Sequence, residues 1–203
     1  SKKIKNLNCK MIFLTSRKIY KLKDNLNEAS KLEPNCNYAK NKLHTEKKLL
    51  KNLKNRILIL RISNLIGINK SKINNNKIHK TFIDIFFFNI QRGIIFNNGK
   101  AYKDFLSINK FSEIIEKLIN KKVVGIYNVS LGQKVYLTKL VNWLNLFNKN
   151  KYKSINFPKS YKTECFYLNN DKLMKKINIK NRLIDLEKDC KSIIKFFFKK
   201  KNK

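Results

Sequence analysis

RILILRIS, residues 56–63, is the stretch that decides the fold. Ile57, Leu58, Ile59, Leu60 and Ile62 leave almost no polar face, and so short an apolar run reads as a strand buried on both sides. MIFLT, residues 11–15, is a second such strand, with a loop beginning at Ser16. Between them lies a polar loop over Lys21–Asn37 that contains Pro34, and then a helix over about Tyr38–Leu53. Leu43, Leu50 and Leu53 give that helix one apolar side, and Asn35 or Asn37 stands where a cap belongs. Strand, helix and strand at this spacing form a βαβ crossover, hence a parallel sheet in an α/β protein.

Beyond Gly67 the character changes. Residues 69–80 form a polar loop with three consecutive asparagines, Asn74–Asn76. Residues 81–91 are strongly apolar and read as a buried helix, with Phe86, Phe87 and Phe88 in the core. Gly93 and Gly99 bracket a short strand and turn. Asn109–Asn120 reads as an amphipathic helix with Phe111, Ile114, Ile115 and Leu118 on one face. Gly125–Val129 is a strand, Leu137–Phe147 a helix, and Lys153–Phe157 a short strand. Asp171–Ile177 and Leu183–Phe198 read as helices around a turn, and the tail from Lys199 is a basic, frayed end. There is no internal repeat.

The chain has 203 residues, 42% hydrophobic and 11% aromatic, enough to bury a core and to exclude general disorder. Its net charge of +34 comes almost wholly from lysine, because arginine occurs only at positions 17, 56, 61, 92 and 182. Asn, Ile and Phe are abundant too, and all four residue types have AT-rich codons. A base bias raises lysine everywhere, whereas a nucleic-acid surface favours arginine and gathers charge on one element. No specific nucleic-acid partner is therefore expected. Cys9, Cys36, Cys165 and Cys190 lie far apart, and His44 and His79 are not at metal-ligand spacing, so no metal site is expected. No apolar run approaches a membrane span, and the polar start SKKIKNLNCK does not read as a signal peptide, which points to a reduced cytoplasmic protein.

Tyr38-Ala-Lys-Asn-Lys42 carries the chemistry. Residues four apart share a helix face, so the Lys42 ammonium can sit near the Tyr38 ring. A cation there favours the phenolate and moves the tyrosine towards the range of a general acid/base. In a chain this rich in lysine the spacing alone also arises by chance, as an ordinary solvated helix face.

The order around the pair is more specific. Thr15-Ser16 closes a strand four residues before Tyr20. Glu28, Pro34, Tyr38, Lys42 and Glu46 follow, then Leu60-Arg61-Ile-Ser-Asn64-Leu-Ile-Gly67, Lys103-Asp104-Phe105-Leu106, Gly125-Ile-Tyr-Asn-Val129 and the closing Asp171-Lys-Leu173. This string resembles the extended short-chain dehydrogenases/reductases, the NAD-dependent epimerase/dehydratase family acting on nucleotide sugars, over almost the whole chain.

The resemblance implies an α/β fold. Residues 1–67 would be the second half of a Rossmann-like, doubly wound parallel sheet. Residues 68–203 would be mainly a small mixed α/β substrate domain, with about 100–130 returning to the sheet. It implies that Tyr38 moves a proton at a sugar hydroxyl or carbonyl, that Lys42 holds the nicotinamide ribose, and that Ser16 hydrogen-bonds the reacting oxygen. Thr15 and Ile62 would face the cofactor, NAD or NADP. Asn64 and Lys103 would face the nucleotide sugar, Lys103 standing where the family often has an arginine for the diphosphate. Arg17 after Ser16 disfavours dehydration, since dehydratases carry an acid there. A homodimer through the long sheet helices, the Tyr38 helix among them, is implied as well. Without the resemblance, Ser16 reads as a turn residue, Asn64 as a loop cap and Lys103 as a surface lysine. The other readings are a non-catalytic family member that binds a ligand, and a basic nucleic-acid module.

The family's Gly-rich turn cradles the cofactor pyrophosphate, yet no glycine precedes Gly67. With Ser1 in place of an initiator Met, this leads to the expectation that the chain is a fragment carrying the acid/base residues and only part of the cofactor site. Calorimetry on the isolated chain should then find NAD(H) binding weaker than the micromolar range.

Overall fold

A computed structural model of the chain describes residues 9–67, 89, 92, 94–97, 100–145, 153–156 and 164–199. The expected polar loop over 69–80, the apolar segment over 81–91 apart from Asn89, and the tail from residue 200 lie outside the described residues. The elements run β1 (Met11–Ser16), α1 (Asn37–Leu53), β2 (Ile57–Ile62), β3 (Asn64–Ile66), β4 (Ile94–Asn97), β5 (Tyr102–Lys103) and β6 (Phe105–Ser107). They continue with α2 (Ile108–Asn120), β7 (Gly125–Val129), β8 (Val135–Tyr136), α3 (Leu137–Asn145), β9 (Lys153–Asn156), α4 (Asp171–Ile177) and α5 (Leu183–Lys199).

The central sheet has the order β1-β2-β7 and is parallel throughout. Ser16 pairs with Ile62 and Ile62 with Val129, so the three carboxyl ends are level. Side chains alternate along β2. Ile57 and Ile59 share a core with Leu49 and Leu53 of α1. Leu58 and Leu60 share another with Ile114 and Leu118 of α2 and Leu173 and Ile177 of α4. Helices therefore cover both faces, which is why β2 reads as an unbroken apolar run. β1 pairs on one side only among the described residues, and its Ile12 and Leu14 are 37% and 43% exposed.

Two further cores build out from the carboxyl ends. Ile19, Tyr20 and Leu26, after β1, pack with Leu43, Phe166 and Leu168. Phe105 packs with Leu140, Trp143 and Leu144 of α3 and Leu186 and Ile194 of α5. Short strand pairs brace this region: β3 with β6 and β4 with β9 in parallel, β5 with β8 antiparallel. Two local details differ from the sequence reading. Cys36, in extended backbone, caps α1 without a side-chain hydrogen bond, because Asn37 is already helical. Phe105–Ser107 forms β6, three residues whose pairing partner β3 lies far back in the chain. Ser107 then caps α2 by accepting from the Lys110 amide at 3.2 Å. Among the described residues no helix is long and apolar enough to cross a membrane.

A buried ion pair joins α1 to β2. Arg61 and Glu46 are 2% and 1% exposed. Arg61 Nε donates to Glu46 Oε2 at 3.3 Å, and Nη2 donates to Oε1. Nη1 donates to the Tyr20 hydroxyl and to the Glu28 carbonyl, each at 2.9 Å. The Tyr20 hydroxyl donates to Asn128 Oδ1 at 2.7 Å. Asn128 Nδ2 donates to the carbonyls of Leu26 and Asn169. One connected network thus ties α1, β2, β7 and the loop after β1. Removing one partner strands a buried charge. Glu46→Ala should lower the unfolding free energy by about 3–5 kcal/mol, read from the urea midpoint. Adding Arg61→Met should restore a good part of it.

Candidate functional site

Ligands of open parallel sheets bind beyond the carboxyl ends of the strands. Here that edge carries Thr15 and Ser16 on β1, in register with Arg61 and Ile62 on β2. Thr15 is 4% exposed, and its Oγ1 has no hydrogen-bond partner among the described residues. Ser16 Oγ accepts from the Lys18 amide at 3.3 Å and turns the chain into a short 3-10 helix over Arg17–Ile19. Tyr38 stands in the first turn of α1, 54% exposed. One turn on, Lys42 Nζ donates to the Leu14 carbonyl at 3.0 Å and lies 5.8 Å from the Tyr38 ring. The same ammonium lies 5.0 Å from the Phe13 ring. The spacing read from sequence therefore brings Tyr38 and Lys42 together beside the end of β1.

A pocket of about 480 Å³ opens next to this edge, lined by Arg17, Lys18, Tyr20, Lys21, Leu22, Glu33, Asn35, Cys36 and Glu164. One wall is the residue after Ser16, and another ends two residues before Tyr38. Arg17 Nη2 donates to Glu164 Oε2 at 2.8 Å, and its guanidinium lies 3.8 Å over the Phe166 ring. That hydrogen bond holds the Glu164 carboxyl below its ordinary range. Lys103 is buried, not a surface lysine, and its Nζ donates to the Glu164 carbonyl at 2.8 Å. Burial, and next the Arg17 charge, push the Lys103 ammonium down. Asn64 Nδ2 donates to the Asp104 carbonyl at 2.9 Å, which fastens the start of β3 to the β5–β6 junction.

Arg17, Tyr20 and Asp104 matter here beyond their reading in the sequence. Burial pushes the Tyr20 hydroxyl up to about 12, so it serves as a hydrogen-bonding strut between Arg61 and Asn128. Asp104 is wholly buried and accepts from the amides of Leu131, Gly132 and Leu168 at 2.9, 3.2 and 3.1 Å. It pins the turn after β7 to the strap that carries Phe166. Gly132, at φ +85°, is required in that turn, because a Cβ there would meet Asn170 Oδ1 at 2.5 Å. The available signal was scarcity. A chain with 47 basic and 13 acidic residues has few carboxylates, and one set among aromatic and apolar residues is a candidate for burial.

A parallel sheet with helices on both faces and polar side chains gathered at its carboxyl edge defines a Rossmann-like α/β protein. A family model described as the NAD dependent epimerase/dehydratase family matches residues 2–130, and the chain belongs to that family. Solved structures agree in fold. UDP-N-acetylglucosamine 4-epimerase from Methanobrevibacter ruminantium, in complex with UDP-N-acetylmuramic acid, matches at TM-score 0.77 and 21% identity over 97% of this chain and 66% of its own. The Pseudomonas aeruginosa protein RMD, complexed with NADPH, matches at 0.73 and 15% over 95% and 67%. dTDP-glucose 4,6-dehydratase from Bacillus anthracis, in complex with NAD, matches at 0.71 and 16% over 98% and 64%. The chain thus spans about two thirds of the length of these structures. A search of curated proteins found no match.

Burial raises the Asp104 carboxyl from its ordinary 3.8 to about 7, against the pull of its amide donors. Folded Asp104 keeps a proton that the unfolded chain releases near pH 4, so rising pH through that window favours unfolding. Stability should therefore fall between about pH 4 and 7 and level off above. Urea midpoints across that range, compared with Asp104→Asn, check this, and the variant should lose the slope.

Proposed function

We propose that this chain carries the acid/base and substrate-facing part of a NAD(P)-dependent nucleotide-sugar epimerase or reductase. The observation that carries the reading is the pocket beside the sheet edge. It is walled by the residue after Ser16 and by the segment leading into Tyr38, with Lys42 one turn further along α1. Tyr38 gives and takes the proton at a sugar oxygen, and its exposure leaves the hydroxyl open to a ligand. Ser16 donates a hydrogen bond to the same oxygen. Asn64 and Lys103 support the sugar-nucleotide side, Lys103 as a buried point charge.

The residues present fit the nicotinamide end of the cofactor. Lys42 brings an ammonium that donates to the Leu14 carbonyl, Thr15 a buried hydroxyl with no partner among the described residues, and Ile62 an apolar surface beside Ser16. Lys42 would hold the ribose hydroxyls. When bound, NAD or NADP takes up and returns a hydride at the sugar carbon. Arg17, a cation beside Ser16, favours epimerisation or reduction over dehydration. The reading includes a division at residue 67 between the sheet half and a mainly substrate-binding part, a cytoplasmic location and a homodimer through the sheet helices.

Tyr38→Phe removes the transferable proton and keeps the ring. In the intact protein it should lower turnover of a UDP-sugar by about 10²–10⁴-fold with the circular dichroism spectrum unchanged. Unchanged turnover would remove Tyr38 from the acid/base role, and a UDP-sugar that binds equally to both proteins without being turned over by either would identify a binding protein in place of an enzyme.

A further inference from the structure

Arg17 is held as an anion receptor is held. Its side chain is 11% exposed, its guanidinium is braced on Phe166, and among the described residues only Nη2 is engaged in a hydrogen bond. Its remaining N–H donors keep their fork geometry with no acceptor among the described residues. Its partner is of another kind. The Glu164 side chain is 45% exposed, and among the described residues its carboxylate makes this one ion pair. The Glu164 carbonyl, not the carboxylate, holds Lys103. The carboxylate can therefore swing away without releasing Lys103.

The charge around the pocket is unbalanced. Arg17, Lys18 and Lys21 face Glu33 and Glu164, and Glu33 is also shared with Lys31. Lys103 adds a buried cation directly behind Glu164. Clustered cations at a low-dielectric wall focus a positive potential into the cavity. About 480 Å³ is ample for a phosphorylated ligand. Lys103 provides a point charge, and Arg17 provides the planar fork that binds two phosphate oxygens at once.

Resting on the reading of this pocket as a nucleotide-sugar site, we propose that Arg17 grips the diphosphate of a nucleoside diphosphate, and that Glu164 is the internal carboxylate which that diphosphate displaces. Arg17 then selects substrate through the anion, while Ser16 next to it addresses the sugar.

The two residues give opposite signs in one assay. Binding of UDP, ADP-ribose and inorganic pyrophosphate is measured by calorimetry at near-physiological ionic strength. The proteins are the wild-type chain, Arg17→Gln, Arg17→Lys, Glu164→Gln and Lys47→Gln. Arg17→Gln should weaken UDP binding about ten-fold or more, and Arg17→Lys should fall in between. Glu164→Gln should tighten it several-fold by removing the competitor. Lys47→Gln, on the exposed face of α1, should leave it unchanged and so control for non-specific attraction. UDP binding that survives Arg17→Gln overturns the inference and leaves the nucleotide-sugar reading standing. Weakening by Glu164→Gln equal to that by Arg17→Gln overturns it as well, making the pair a tether. Pyrophosphate binding with the expected variant pattern and no gain from uridine upholds the grip and removes the nucleotide-sugar reading. The same pattern with ADP-ribose preferred over UDP overturns the assignment to substrate in favour of the cofactor.

Discussion

The Arg61–Glu46 ion pair is the constraint on which the rest of the architecture depends. Arg61 sits in the middle strand of a parallel sheet, where a charge is tolerated only with its partners in place. Glu46 fixes the rotation of α1 about its axis, because only one helix face reaches that guanidinium. Fixing α1 fixes Tyr38 and Lys42, two turns and one turn back along the same helix. The remaining guanidinium donors reach Tyr20 and the Glu28 carbonyl, which shapes the loop after Ser16. One buried cation thereby sets both walls of the pocket, though it does not line it.

Asp104 does the equivalent work on the other side of the site. It sits between Lys103 and Phe105, next to the buried cation and inside the second core. Its three amide partners come from two separated segments, so the strap carrying Glu164, Cys165 and Phe166 is held to the turn after β7. The position of Phe166 decides where the Arg17 guanidinium lies flat. Ordering of the pocket is thus distributed over β1, α1, β5, β7 and the strap, through buried side-chain bonds as well as packing.

Much of this was legible in the sequence, and the legible part has a physical reason. Ile57–Ile62 and Met11–Thr15 could be read because burial on both faces demands continuous apolar residues. The Tyr38–Leu53 helix could be read because its Leu43, Leu50 and Leu53 repeat at helical spacing. The Tyr38–Lys42 proximity follows from the same geometry. What escaped was non-local. β6 is three residues long and takes its identity from β3, some forty positions earlier, which no local pattern encodes. The α1 cap was misplaced because three candidate residues crowd one turn. Lys103 reads as a surface lysine in a chain where lysine is everywhere, and its burial is made tolerable by partners distant in sequence, the Glu164 carbonyl and the Phe166 ring among them. Arg17 had a signal in its identity, since lysine fills nearly every other basic position, but its partner lies 147 residues away.

The half-paired strand β1 has a consequence for how the molecule behaves among its own copies. Among the described residues its outer edge has no strand partner, and the partly exposed Ile12 and Leu14 lie along it, a surface on which a second extended chain can build. Such templates are held apart in solution by long-range repulsion when net charge is high. A charge of +34 supplies that repulsion in dilute buffer, and added salt removes it because the screening length shrinks to about 10 Å at 0.1 M. The lysine surplus that codon bias can explain without any function thus also opposes, in dilute buffer, the approach of two copies of this sheet edge.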